Sequence, residues 1–247
     1  MKKRTALVTG ASRGIGRATA KELAADGYRV IVHFVVNRDR AEELAAEIRA
    51  EGGSVELANA DLAAKDGARV LAEHVRAMCP DGLDALVLNA AIMPANSEIP
   101  TCTEDDFDDI FHVNLRSPFF LLQELGALLN EHASVVFVSS LTARRVTGPV
   151  TGYGIMKAAI ESLTRRAAVE FGPRWIRVNA VCPATTANDL ILPYAETEQG
   201  REMIIADQVL KRVAMPEDIA DAISLLCTEK ARWITGAVIP VDGGALL

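Results

Sequence analysis

Five residues with an apolar centre, Thr5-Ala-Leu-Val-Thr9, run directly into Gly10-Ala-Ser-Arg-Gly-Ile-Gly16, which opens a helical pattern closed by Gly27. Strand, glycine-rich turn and helix in this order form the context that a phosphate-binding loop requires. Gly10 permits a tight turn. Gly14 and Gly16 let the backbone approach a pyrophosphate at the helix N-terminus, where unpaired N–H groups favour an anion. The spacing is G-x-x-x-G-x-G rather than the commoner G-x-G-x-x-G. Gly10-x-Ser12-x-Gly14 also matches the nucleophile turn of hydrolases, but that turn needs an acid and then a histidine after the serine. The last histidine is His132, with sheet and helix still to come. Nucleotide binding is the stronger reading.

The remainder repeats the strand-and-helix alternation. Apolar runs at 28–36, 55–58, 84–89, 135–138, 176–182 and within 236–244 read as strands. Between them, helical patterns cover 41–50, 65–78, about 104–129, a stretch ending near Gly172, and a last helix from Pro216. Such alternation predicts right-handed βαβ units and a parallel, doubly wound sheet of about seven strands with helices on both faces. A chain of 247 residues fits one such α/β domain, so 1–247 is expected to be a single domain. Residues 185–212 lack a sheet role and are expected to be an active-site lid.

Composition removes several classes. Half of the residues are hydrophobic and 5% aromatic, which suits a buried parallel sheet under Ala-rich helices. A net charge of −7 argues against nucleic acid or an anionic membrane as the main partner. Cys79, Cys102, Cys182 and Cys227 have no short spacing, and the four histidines form no metal-like pair, so neither disulfides nor a metal site is expected. No signal core and no run of 18 apolar residues is present, so a soluble, cytoplasmic protein is expected.

The chemistry is expected between Val135 and Lys157. A buried strand ends in Ser139-Ser140, and a loop with Gly148, Pro149 and Gly152 leads into a helix bearing Tyr153 and Lys157. Four apart, these two share one helix face. Ser140 lies at the carboxyl end of its strand, where open α/β sheets place ligands. A free tyrosine, with a pKa of about 10, is a poor acid at neutral pH. An ammonium one turn away is expected to lower that value, and a serine hydroxyl can hold a substrate oxygen. Together they can protonate a carbonyl oxygen as a hydride reaches its carbon.

At the end of the second strand, where a carboxylate would bind the ribose 2′-hydroxyl of NAD, stands Phe34, and no acid flanks it. Arg13 and Arg38 can instead face a 2′-phosphate, which favours NADP(H) over NAD(H). The acidic run 104–109 follows Thr103, a good N-cap, and reads as a favourable first helical turn. Asn114 inside the same helix hints at a polar role.

In order and spacing, these elements resemble the short-chain dehydrogenases/reductases across essentially the whole chain. The resemblance rests on Thr9-Gly10-x-x-x-Gly14-Ile15-Gly16, Asp61, Asn89-Ala90, Asn114, Ser140, Tyr153, Lys157 and Pro240-x-Asp242-Gly243-Gly244. It implies a Rossmann fold and a catalytic set of Ser140, Tyr153, Lys157 and Asn114. Tyr153 would be the proton donor in reduction, and Lys157 would lower its pKa and hold the nicotinamide ribose. Ser140 would orient the carbonyl, and Asn114 would fix a water linking Lys157 to solvent. The implied cofactor contacts are Gly10, Ser12, Arg13, Gly14, Ile15, Gly16, Arg38, Asp61 at adenine, Leu62, Asn89 by the adenosine ribose, Ala90, Tyr153, Lys157 and Pro183. Ala91, Ala184, Asn188 and Met156 depart from the usual residues.

The most similar subgroup is the 3-oxoacyl-carrier-protein reductases and related ketoreductases. It implies NADPH-dependent reduction of a ketone to a secondary alcohol, on a 3-oxoacyl thioester or polyketide-like chain, and a homotetramer. An acyl carrier protein is an implied partner: Arg174 matches a basic docking position, whereas Glu131 stands where another is usual. Arg144 and Arg145 are expected either to meet an anionic substrate or to be solvated. Two alternatives stay open: the same machinery on another alcohol or ketone (a sugar, steroid or aromatic), and a non-catalytic NADP-binding protein.

Overall fold

The computed structural model describes residues 4–94, 97–146, 148–189, 191–206 and 208–247, and only the backbone of Pro193 and Tyr194. Seven parallel strands form one sheet: β1 (Thr5–Val8), β2 (Arg29–Phe34), β3 (Ser54–Asn59), β4 (Leu83–Leu88), β5 (Leu129–Val138), β6 (Arg177–Pro183) and β7 (Val238–Val241). Their order is β3-β2-β1-β4-β5-β6-β7, so the winding reverses between β1 and β4, where such sheets open a ligand crevice.

Burial on both faces explains the unbroken apolar runs. Leu7, Ile31, Leu86, Phe137 and Val178 face α3 (Gly67–Met78), α5 (Ser117–Leu125) and α6 (Thr151–Phe171). Their neighbours Ala6, Val8, Val30, Val32, Val87 and Val136 face α1 (Gly14–Ala25), α2 (Arg38–Ala50) and α9 (Pro216–Cys227). Each Leu, Ile or Phe so buried contributes about 1.5–3 kcal/mol.

Two elements differ from expectation. The helix expected over 104–129 is interrupted. α4 (Glu104–Phe111), capped by the Thr103 hydroxyl, gives way to one π-helical turn at His112–Arg116 before α5. Pro118 has no N–H for the carbonyl of Asn114 four residues back, so the regular ladder fails there. Strand β5 begins at Leu129, six residues before the expected start. Its first half is polar, and its pairing with β4 shifts between Leu83–Leu129 and Ala85–Ser134, around His132 at φ 64°. The 185–212 segment carries two short helices, α7 (Leu192–Ala195) and α8 (Glu198–Ile205).

Candidate active site

The glycine turn is shaped as its sequence predicts and braced by residues from three strands. Gly10 and Gly14 have φ of 64° and 54°, values that disfavour any side chain, and around Gly14 an added Cβ would meet open space. At Gly16 a Cβ would lie 2.5 Å from the Gly10 carbonyl oxygen and 2.6 Å from Asn89 Nδ2. The Thr9 hydroxyl accepts from the N–H groups of Asn89 (2.9 Å) and Ala90 (3.0 Å), while Asn89 Nδ2 donates to the carbonyls of Thr9 and Gly10. Arg13 holds the extended conformation that precedes α1, and no side chain caps the helix. Its first-turn N–H groups are therefore available to an anion. Open space over Gly14 and an uncapped helix N-terminus fit a dinucleotide pyrophosphate.

One brace was not foreseen. His33, on β2 and fully buried, accepts from the Gly10 N–H at Nδ1 (3.0 Å). That bond fixes the tautomer, so Nε2 carries the proton and donates to the Ala60 carbonyl (2.9 Å). Burial lowers the imidazole pKa from 6.5 to about 4, against the opposing pulls of the Ala60 bond and the Asp61 charge. One neutral ring thus ties the phosphate turn to the shelf formed by Ala60 and Asp61. The only sequence signal was a titratable residue in the middle of an otherwise apolar strand.

The acid–base residues come together at the carboxyl end of β5. Ser139 and Ser140 point opposite ways. Ser139, buried, contacts Glu161 Oε1 at 3.2 Å, whereas Ser140 faces the phenol of Tyr153. The Ser140 hydroxyl also accepts from the Thr142 N–H (3.2 Å) and pairs with the Thr142 hydroxyl (2.9 Å). Gly154 permits this approach: a Cβ there would stand 2.9 Å from the Thr142 carbonyl oxygen. Lys157 is buried, donates from Nζ to the Val138 carbonyl (2.7 Å) and lies 5.4 Å from the centroid of the Tyr153 ring.

The electrostatics differ from expectation. Burial pushes the Tyr153 phenol up to about 12, and it is the Ser140 hydrogen bond, not Lys157, that opposes the rise. The ammonium is committed to the Val138 carbonyl, and desolvation lowers its own pKa to about 8. With these residues alone the phenol keeps its proton at neutral pH and the lysine stays charged. A neutral phenol beside a hydroxyl can donate a proton to an oxygen that gains negative charge.

Asn114 lies in the π-helical turn, buried, and clamps the backbone after β4. Its Oδ1 accepts from the Ile92 N–H and its Nδ2 donates to the Ile92 carbonyl, both at 2.8 Å. Pro118 was the signal for that irregularity. Asp61 is exposed and accepts from the Ala63 N–H, Leu62 is buried with its carbonyl on the Ser117 hydroxyl, and Pro183 closes β6.

The arginines are distributed differently from their sequence positions. Arg38 pairs with Glu42 and lies over the Phe34 ring. Arg13 reaches instead toward Asp189, which also binds Arg40, a residue not singled out in the sequence. Arg144 turns inward onto both oxygens of the buried Glu161 carboxylate (3.0 and 3.1 Å). Arg145 donates to the Ala245 carbonyl, and Arg174 donates to the carbonyls of Gly126 and Leu129. Ala91 is exposed, and Asn188 caps the Ile191 N–H (3.0 Å). Among the described residues no cluster suited to a metal ion occurs, and no helix is long and apolar enough to cross a membrane.

Comparison with known proteins places this geometry. The family model described as Enoyl-(Acyl carrier protein) reductase matches residues 10–245. The short chain dehydrogenase mdpC of Emericella nidulans is 35% identical, covering 98% of this chain and 95% of its own length. The 3-oxoacyl-[acyl-carrier-protein] reductase FabG of Staphylococcus epidermidis is 32% identical, covering 98% of each chain. The crystal structure of angucycline C-6 ketoreductase LanV with bound NADP superposes with a TM-score of 0.92 at 36% identity, covering 98% of this chain and 95% of that one.

Proposed function

The chain belongs to the short-chain dehydrogenase/reductase family and is an oxidoreductase, and we propose that it reduces a ketone to a secondary alcohol with NADPH, Tyr153 supplying the proton. The observation that carries this reading is the convergence of a protonated Tyr153 phenol, the Ser140 hydroxyl and the Lys157 ammonium beside an anion-ready turn.

Bound NADPH supplies the hydride. The N–H groups at the start of α1 and the open space over Gly14 would hold the pyrophosphate, Asp61 and Leu62 would hold the adenine, and Asn89 would serve the adenosine ribose. Ser140 donates to the substrate carbonyl oxygen and sets it next to the Tyr153 hydroxyl. As charge develops on that oxygen, Tyr153 releases its proton, because an alkoxide is a far stronger base than a phenolate. Lys157 would then stabilise the phenolate left behind and hold the nicotinamide ribose, while Asn114, its side chain spent on Ile92, would keep the backbone after β4 in place.

For the substrate, a free ketone is favoured over a carrier-bound thioester. Glu131 stands exposed where a basic docking residue is usual, and Arg144 spends its charge on Glu161. A polycyclic or polyketide-like ketone therefore fits better than an acyl group delivered by an acyl carrier protein. The exposed Phe111, Phe119, Ile155 and Val169, on the outer faces of α4, α5 and α6, support a homotetramer built through these helices.

A screen of aromatic ketones and 3-oxoacyl thioesters, run with NADPH and with NADH, tests the reading. NADPH consumption on a ketone is expected. Tight NADPH binding without turnover on any carbonyl would refute catalysis, and a preference for carrier-linked thioesters would refute the substrate class.

A further inference from the structure

Three residues far apart in the chain meet over the entrance to the cofactor turn. Arg13 stands directly before α1, in the glycine turn itself. Arg40 lies in the first turn of α2, just past the end of β2. Asp189 belongs to the start of the lid, 149 residues beyond Arg40 in sequence. One oxygen of Asp189, Oδ2, serves both guanidiniums: it bonds Arg40 Nη1 directly and lies 3.6 Å from Arg13 Nη1.

The setting is held rigidly beneath. Arg17 on α1 donates to the Arg40 carbonyl (3.3 Å) and pairs with Glu47 on α2 (2.7 Å), which fixes the start of α2 against α1. Asn59 Nδ2 donates to the carbonyls of Phe34 and Val35, which fixes the strand end beside it. Two guanidiniums, one in the glycine turn and one just past the strand end where dinucleotide folds read the ribose 2′ position, close on a carboxylate. A forked pair of arginines is a recognition device for phosphate.

We propose that Asp189 is an internal stand-in for the cofactor's 2′-phosphate. It occupies the Arg13–Arg40 clamp until NADPH displaces it, and Arg40 is a specificity-determining residue for the phosphorylated cofactor. The proposal rests on the NADPH reading above. A phosphate monoester carries about −1.5 to −2 charge and three acceptor oxygens, so it outcompetes a single carboxylate for two guanidiniums. NADH has nothing to offer the clamp, and Asp189 stays in place.

Displacement has a structural consequence. Asp189 follows Asn188, whose side chain and carbonyl receive the N–H of Ile191, while the Leu192 N–H also bonds the Asn188 carbonyl. The clamp therefore tethers the first turn of the lid to the cofactor turn. Arrival of a 2′-phosphate frees the lid, which makes substrate access responsive to which cofactor is bound.

The test uses the full chain and two nucleotide pairs: NADPH against NADH, followed by fluorescence, and 2′,5′-ADP against 5′-AMP, followed by calorimetry. Half-exposed ion pairs of this kind are weak, so Asp189→Asn is expected to tighten NADPH and 2′,5′-ADP by about two- to fivefold. It should leave NADH and 5′-AMP unchanged. Arg40→Gln is expected to weaken NADPH about tenfold with no effect on NADH. In hydrogen exchange, 2′,5′-ADP should speed exchange at the Ile191 and Leu192 amides of the wild type but not of Asp189→Asn. If the wild type prefers NADPH yet Asp189→Asn binds both cofactors as before, the stand-in role is overturned while the cofactor reading survives. If the wild type binds NADH as tightly as NADPH, both are overturned.

Discussion

His33 makes the acid sensitivity of this fold a quantity that can be worked out. Its ring is fully buried, accepts from the Gly10 N–H and donates to the Ala60 carbonyl, a pattern only the neutral imidazole can sustain. Protonation would turn Nδ1 into a second donor aimed at a donor. The pKa is about 4 in the folded chain against the ordinary 6.5. The unfolded chain therefore binds the proton more readily, so the contribution to stability is whole above 6.5 and is lost as pH falls toward 4. For these two values the linkage relation gives a loss of about 2 kcal/mol at pH 5 and about 3 kcal/mol at pH 4. In a domain of this size the loss at pH 5 corresponds to a fall in Tm of about 4–8 °C. His33→Gln keeps one acceptor and one donor but cannot titrate. Calorimetric melts of both proteins at pH 7, 6 and 5 isolate the term, since every other acid titrates alike in the two. The wild type should lose more than the variant by that amount. Parallel pH profiles for the two proteins would refute the brace.

Three further outcomes follow from the same geometry. Gly16→Ala places a Cβ 2.5 Å from the Gly10 carbonyl oxygen, so it should cost about 1–3 kcal/mol in thermal melts and abolish NADPH binding in a fluorescence titration. Arg144→Ala leaves the buried Glu161 carboxylate without the Nε–H that both its oxygens share and should lower stability by about 2–3 kcal/mol by denaturant titration, with Glu161→Gln recovering part of the loss in the double variant. The Lys157 ammonium is present below about pH 8 and lost above it, so kcat/KM for reduction should decline through that pH, and a rate constant flat to pH 10 would remove Lys157 from the mechanism.

Features that depend on local spacing are legible in the sequence. The glycine turn, the strand–helix alternation and the face shared by Tyr153 and Lys157 are set by neighbours a few residues apart. The opposed directions of Ser139 and Ser140 follow from strand geometry alone. What escaped depends on partners distant in the chain. The brace made by His33 needs Gly10 and Ala60 at once, and Arg40 meets Asp189 across 149 residues of sequence. Arg174 matches a basic docking position in sequence and Arg144 reads there as facing either an anionic substrate or solvent, yet each binds an internal acceptor. The Tyr153 phenol was expected to be lowered by Lys157, because spacing reports proximity and not desolvation. The start of β5 was hidden by Asn130, Glu131 and His132, which carry no apolar alternation. The break in the helix expected over 104–129 was missed, although Pro118 lies four residues after Asn114, where a helix would need its missing N–H.

The measurement that bears most directly on the mechanism is single-turnover reduction of a ketone by NADPH, followed by loss of nicotinamide absorbance, in the wild type and in Tyr153→Phe. Removing the proton donor should slow the step by about 10²- to 10⁴-fold while the protein stays folded and still binds NADPH. Turnover by Tyr153→Phe at the wild-type rate would contradict the account, since the proton would then reach the substrate oxygen by another route.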